Sequence, residues 1–160
     1  MKRRVSLIGA LAAVTVMAGY FAYRLVGGEA AIVSLPAVED CSLHREACTA
    51  TLPNGGEMRL DIEPKQPAPT DPLRVTAVFE EAAPGAVGVR LEGVNMNMGY
   101  LEHFVYQLAR DRGDPAANSF SGSAGVFACS STVMQWRVLA RVELDGARYE
   151  IPFQFETREK

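Results

Sequence analysis

Four sulfur-bearing side chains in the second half of the chain are of types that bind soft metal ions: Met96, Met98, Cys129 and Met134. Thioether and thiolate sulfurs favour Cu(I), whereas hard ions take oxygen ligands. If residues 94–100 form a strand, alternate side chains share a face, so Met96 and Met98 point to the same side. These four residues are therefore the candidate ligands of a Cu(I) site.

The three cysteines of the chain divide into a pair and a single residue. Cys41 and Cys48 lie seven residues apart, and in an oxidising compartment a bridge between them is the simplest pairing. A redox dithiol usually has the closer CxxC spacing, so this pair is predicted to be structural. Cys129 is left without a partner, which favours its use as a ligand.

Each candidate ligand also has a credible role in a hydrophobic core. Met134 is in phase with Trp136 and Val138, and methionine is a common gap-filler in cores. A lone buried cysteine likewise behaves as a small hydrophobe. The residue pattern alone leaves the ligand role and the packing role both open.

Catalysis has little support in the sequence. The two histidines, His44 and His103, lie near no recognisable nucleophile motif, and both are interpreted as surface residues; the alternative for His103, five residues after Met98, is an additional metal ligand. A glycine-rich phosphate loop, a zinc-type histidine pair and a CxxC motif are all absent from the sequence. We therefore predict that the protein is not an enzyme.

The N-terminus carries the signature of a membrane anchor. Three basic residues at positions 2–4 precede an uncharged run of 19 residues, 5–23, which is close to the roughly 20 needed to cross a bilayer. The apolar part of a cleaved signal is usually only about 7–15 residues long. The run favours an uncleaved inner-membrane helix, with the rest of the chain in the periplasm. A removed signal peptide, which gives the same topology, is the alternative.

Charge argues against nucleic acid as a partner. From residue 29 onward the chain has 12 basic and 19 acidic residues, a formal net charge of −7. An acidic surface without basic runs does not suit binding to phosphate backbones. The predicted partners are instead the inner membrane, through the N-terminal helix, and a protein that receives copper.

Alternating apolar residues separated by turn signals predict an all-β fold. Asn54-Gly55 and Asp145-Gly146 are strong hairpin signals. About seven strands in an immunoglobulin-like β-sandwich, preceded by one transmembrane helix, fit this pattern. The predicted domains are an anchor at 1–27, a linker at 28–40 and the sandwich at 41–160. At Gly93-Val94 the apolar phase slips by one residue, which predicts a β-bulge just before the two methionines.

The stretch 94–100, taken with Cys129, Met134 and Trp136, resembles small membrane-anchored periplasmic proteins of the YtkA-like and FixH-like group. The Met-x-Met step and the following glycine fall on Met96, Met98 and Gly99. This resemblance implies one N-terminal span, an immunoglobulin-like sandwich, and a role in copper handling or in assembly of haem–copper oxidases.

Two functional hypotheses follow from the sequence. The first is a membrane-anchored periplasmic Cu(I)-binding protein that acts as a copper chaperone or oxidase assembly factor. The second is a non-metal protein-interaction module of an envelope complex, since every candidate ligand also suits a core.

Overall fold

The computed structural model describes Met17 and residues 31–113, 118–127 and 132–158. The chain divides into two compact units, Met1–Ala31 and Ile32–Lys160. Apart from Met17, the predicted anchor at 1–27 lies outside the described residues. Within the part that is described, no helix is both long and apolar enough to span a bilayer.

The second unit is all-β, as the sequence predicts. Its described residues form nine strands rather than about seven, together with one short 3₁₀ helix, Gly99–His103. The strands are β1 (Ile32–Ser34), β2 (Cys48–Thr51), β3 (Glu57–Glu63), β4 (Pro72–Glu80), β5 (Ala86–Gly93), β6 (Val105–Arg110), β7 (Asn118–Gly125), β8 (Val133–Leu144) and β9 (Ala147–Arg158).

The strands form one curled sheet in the order β1-β9-β8-β5-β6-β7-β4-β3-β2. The β1–β9 pair is parallel, and the other described pairs are antiparallel. The sheet has two halves, β1-β9-β8-β5 and β7-β4-β3-β2, and strand β6 joins them. Residues 105–108 pair with β5, whereas Ala109 and Arg110 pair with β7. Strand β1 lies within the segment 28–40 that the sequence suggested as a linker.

Alternation along the strands places apolar side chains in a single core. In β3, Met58, Leu60 and Ile62 are fully buried, while the intervening residues face outward. Both halves of the sheet contribute to the same cluster of buried residues. Trp136 stacks on Phe155 with ring centroids 6.1 Å apart. Burying side chains of this size stabilises the fold by about 1.5–3 kcal/mol each.

Both predicted hairpin turns are present. Gly55, between β2 and β3, has a φ of 89°, and Asp145 and Gly146, between β8 and β9, have φ values of 53° and 77°. Asparagine, aspartate and glycine are the residues that tolerate such backbone angles at least cost. The Asp145-Gly146 turn brings β8 and β9 into register along their full length of 12 residues each.

Candidate metal centre

Met96 and Met98 lie in a loop, residues 94–98, that we call the methionine loop. Strand β5 ends at Gly93 and the 3₁₀ helix begins at Gly99, so the predicted strand and bulge at this stretch are wrong. Where the chain leaves the sheet, side chains accept the backbone N–H groups of Gly93, Met98 and Gly99.

Asn95 fastens the methionine loop to the start of β8. Its Nδ2 donates to the carbonyl of Val133 at 3.0 Å, and its Oδ1 accepts the N–H of Gln135 at 3.0 Å. The N–H of Val94 also donates to the carbonyl of Gln135 at 2.8 Å. These bonds lie on either side of Met134, so the loop is held against the segment of β8 that carries this methionine.

Glu102, in the 3₁₀ helix, holds the other end of the loop. Its Oε1 accepts the N–H of Met98 at 2.9 Å and the N–H of Gly93 at 3.3 Å. Asn97 Oδ1 accepts the N–H of Gly99 at 2.7 Å. One carboxylate oxygen thus joins the end of β5 to the end of the methionine loop.

Arg90 supports Glu102 from β5. Its Nη1 donates to the carbonyl of Glu102 at 3.0 Å. Its Nη2 forms ion pairs with Glu92 at 2.7 Å and with Glu150 at 3.5 Å, and Arg141 pairs with the other oxygen of Glu150 at 2.8 Å. Only 15% of the Arg90 side chain is exposed, so this arginine ties the 3₁₀ helix to a charged network on the sheet.

Gly93 lies next to three of the predicted ligands, Met96, Met98 and Met134. A Cβ added at Gly93 would lie 2.6 Å from Cε of Met134 and closer still to the carbonyl oxygen of Met96. The N–H of Met98 shares its acceptor oxygen with the N–H of Gly93. Only a residue without a side chain leaves room for this arrangement.

The three methionines differ in exposure. Met134 is 2% exposed and belongs to the core, whereas Met96 and Met98 are half-buried and pack against that core from the loop. Cys129, the fourth predicted ligand, lies outside the described residues. Among the residues that are described, no group of three or more His, Cys, Asp or Glu side chains is arranged to hold a metal ion.

Exposed apolar side chains occur in the methionine loop and in the 3₁₀ helix and linker that follow it. Val94 is 47% exposed, and Tyr100 and Phe104 are 74% and 52% exposed. The two aromatic rings meet edge to face with centroids 6.3 Å apart. We call Tyr100 and Phe104 the aromatic patch, since exposed apolar side chains that lie together can mark an interaction surface.

A second loop, residues 41–48, lies against β9 and is called the disulfide loop. Cys41 and Cys48 form the predicted bridge, and Leu43 between them is fully buried. Contrary to the surface interpretation, His44 is half-buried: its Nδ1 accepts the N–H of Glu156 at 3.2 Å and lies 2.7 Å from the hydroxyl of Ser42. His103 is exposed, as expected.

Burial lowers the pKa of His44 below its ordinary value, and it outweighs the opposing charge of Glu156. The positive charges of Arg45 and Arg158 lower this pKa further. The hydrogen bond from the N–H of Glu156 also favours a lowered pKa, because Nδ1 of His44 accepts that N–H only while Nδ1 carries no proton. The neutral ring is therefore the form that the fold holds.

Sequence reasoning missed the residues that position the methionines. Asn95, Asn97 and Glu102 were not singled out, although asparagines next to methionines and a glutamate four residues after Met98 were visible. Short polar side chains that bond to nearby backbone are a known loop signal. The bonds to β8, however, depend on tertiary structure.

Comparisons with known proteins add little to this description of the site. No protein-family model and no curated protein matches the chain. A solved structure of a DUF4785 family protein from Legionella pneumophila is similar, with 15% sequence identity and a TM-score of 0.42. The match covers 64% of this chain and 29% of that one, so this chain spans less than a third of that protein.

Proposed function

We propose that this protein is a membrane-anchored periplasmic Cu(I)-binding protein that acts as a copper chaperone or as an assembly factor for haem–copper oxidases. The observation that carries the proposal is the bonding of Val94 and Asn95 to the backbone on both sides of Met134. A loop with two methionines is thereby fixed beside a third.

The donor set suits a soft, monovalent ion. Thioether sulfurs carry no charge and bind Cu(I) in preference to hard divalent ions. Met134 would hold the ion from the core side, and the half-buried Met96 and Met98 would hold it from the loop side, where it can enter and leave.

Cys129 would complete the set with a thiolate. It lies five residues before Met134, in the connection that leads from β7 to β8. A thiolate is the form of cysteine that binds metals, and its negative charge would balance that of the ion. Methionine, methionine, methionine and thiolate together form an all-sulfur site.

Location and fold class are part of the same proposal. The basic residues 2–4 and the uncharged run 5–23 support an inner-membrane helix with the β domain in the periplasm. The disulfide at Cys41 and Cys48 is in keeping with an oxidising compartment. We further infer that the curled sheet is an immunoglobulin-like sandwich, which is supported by two mainly antiparallel halves that share one core, in which Trp136 is fully buried.

The proposal is tested by Cu(I) titration of the full-length chain in detergent, with ascorbate present and a Cu(I)-selective chelator as competitor. Met96→Leu combined with Met98→Leu should weaken binding by more than the roughly 10–100-fold that loss of an outer-shell partner costs, because two ligands are removed. Stability should fall by less than about 1.5 kcal/mol per site, since methionine and leucine have similar volumes. Trp136, the single tryptophan, lies opposite Gly93 and provides a fluorescence readout.

Met58→Leu is the matched control, because Met58 is fully buried in β3, a strand that pairs with neither β5 nor β8. It should leave Cu(I) affinity unchanged. Unchanged affinity in the Met96→Leu, Met98→Leu variant as well would overturn the copper site.

The aromatic patch favours a second candidate function, a protein-interaction module without metal. Tyr100→Ser with Phe104→Ser should then abolish co-purification of a defined membrane partner. Met96→Leu with Met98→Leu should retain that partner, and depletion of copper should not matter. Loss of the partner on copper depletion would contradict the metal-free reading.

A further inference from the structure

Glu102 occupies an unusual place in the loop system around Gly93. It lies in a five-residue 3₁₀ helix, and one oxygen of its carboxylate accepts N–H groups from both ends of the methionine loop. The donors are Gly93, the last residue of β5, and Met98, the second methionine. A single side chain therefore sets the distance between the strand end and Met98.

The backbone of Glu102 is itself fixed. Arg90 Nη1 donates to its carbonyl oxygen, and the other amino group of Arg90 is engaged with Glu92 and Glu150. The chain from β5 through Arg90 to Glu102 and on to Met98 is thus a continuous series of hydrogen bonds that begins on a paired strand.

We propose that Glu102 is the positioning residue of the methionine site: it fixes the loop so that Met96 and Met98 are in place before the metal arrives. This inference rests on the proposed Cu(I) function. It assigns no ligand role to Glu102, because Oε1 accepts two backbone N–H groups and carboxylate oxygens suit hard ions rather than Cu(I).

The physical reason is preorganisation. A loop that is disordered until the metal binds must lose conformational freedom at that moment, which weakens binding. A carboxylate or amide oxygen has two lone pairs, so one oxygen of Glu102 can accept the N–H groups of both Gly93 and Met98. Outer-shell partners of this kind typically contribute 10–100-fold to metal affinity.

The inference is tested on the full-length chain with three variants. Glu102→Ala removes the acceptor, and we expect it to weaken Ag⁺ and Cu(I) binding about 10–100-fold. Glu102→Gln keeps an amide oxygen that can accept both N–H groups, so its affinity should stay within about threefold of wild type. Glu143→Ala removes an exposed carboxylate from β8 and controls for the change of charge.

A second readout follows the loop without any metal. Chemical shifts of ¹³C-labelled methionine methyl groups should change at Met96 and Met98 in metal-free Glu102→Ala, and should stay near wild type in Glu102→Gln. The methyl group of Met58, buried in β3, should not move in either variant and shows that the fold is intact.

The outcomes separate the two proposals. Equal methyl shifts and equal affinity in Glu102→Ala and wild type would overturn the positioning role. Loss of affinity in Glu102→Gln equal to that in Glu102→Ala would also overturn it, since the effect would then follow charge and not the acceptor. A wild-type chain that binds neither ion would overturn the Cu(I) function, and the methyl shifts would still decide whether Glu102 fixes the loop.

Discussion

The disulfide loop and the methionine loop solve the same structural problem in different ways. Each leaves the sheet and is fastened back to it by a side chain that bonds to strand backbone: His44 to β9 and Asn95 to β8. The disulfide loop is also closed covalently and buries Leu43 completely. The methionine loop has polar clamps instead, and its two methionines stay half-buried beside exposed aromatic rings.

This difference separates a loop that supports the fold from a loop that presents side chains. Burial of Leu43 adds to the core, and the disulfide restricts the unfolded chain. Hydrogen bonds to Glu102 and Asn95 order the backbone of the methionine loop, while Met96 and Met98 pack against the core and stay half-buried. A rigid backbone with accessible side chains is what a binding site needs.

The largest expected effect is on the supporting loop. Leu43→Ala should lower the free energy of unfolding by about 2–5 kcal/mol, because a fully buried leucine is replaced by a cavity. Urea unfolding followed by Trp136 fluorescence measures this change. Affinity for Cu(I) should be retained under conditions where the variant is folded.

Val94→Ala is the matched truncation in the methionine loop. Val94 is 47% exposed, so its loss should change stability by no more than about 0.5 kcal/mol. Similar losses for Leu43→Ala and Val94→Ala would show that both loops support the fold equally, and the contrast drawn between them would fail.

A somewhat smaller effect is expected where the methionine loop touches the sheet. Gly93→Ala places a Cβ against Cε of Met134 and against the carbonyl oxygen of Met96. Backbone cannot yield as a flexible side chain does, so we expect a loss of about 1–3 kcal/mol. Thermal unfolding measures the loss, and a displaced Met96 methyl resonance should accompany it.

Gly85→Ala controls for the change from glycine to alanine. The atoms nearest to the new Cβ would be the carbonyl oxygen and Oε1 of Glu143, each 4.0 Å away, which is an ordinary contact distance. Stability should therefore stay within about 0.5 kcal/mol of wild type. If Gly93→Ala proved as harmless, the close packing of Met96 and Met134 around Gly93 would be wrong.

The fold can be predicted from the sequence where local signals agree. Alternating apolar residues predicted the all-β fold, the phase shared by Met134, Trp136 and Val138 is that of buried residues in β8, and Asn54-Gly55 and Asp145-Gly146 marked the two hairpins. Strand β1 was not predicted, because three exposed residues that pair with β9 leave no alternating pattern. Parallel pairing between residues more than a hundred positions apart has no local signal.

Of the candidate site, sequence analysis could predict the types of residue but not their arrangement. The sulfurs of Met96, Met98 and Met134 could be picked out by chemistry, but the phase slip at Gly93 was read as a bulge, and the chain instead ends its strand there. At that ending the carboxylate of Glu102, and not a neighbouring strand, accepts the N–H groups of Gly93 and Met98. A hydrogen bond from a strand end to the side chain of a later residue cannot be deduced from residue spacing.

The smallest expected effect is a pH dependence that belongs to the disulfide loop. Since burial lowers the pKa of His44, the folded state binds fewer protons than the unfolded state just below the ordinary histidine pKa. The stability from the neutral ring is thus present above about pH 6.5 and is lost as pH falls through the lowered pKa. Protonation would break the bond from Glu156, a loss of about 0.5–1.5 kcal/mol.

Urea unfolding between pH 7.5 and 5 measures this loss, and two asparagine variants assign it. His44→Asn cannot gain the proton, so the stability difference across this range should shrink. His103→Asn makes the same change in the exposed histidine and leaves His44 in place, so the wild-type difference should remain. An undiminished difference in His44→Asn would mean that other groups set the acid response and that His44 only clamps the loop. Cu(I) affinity at neutral pH should be the same in both variants, because neither histidine lies in the methionine loop.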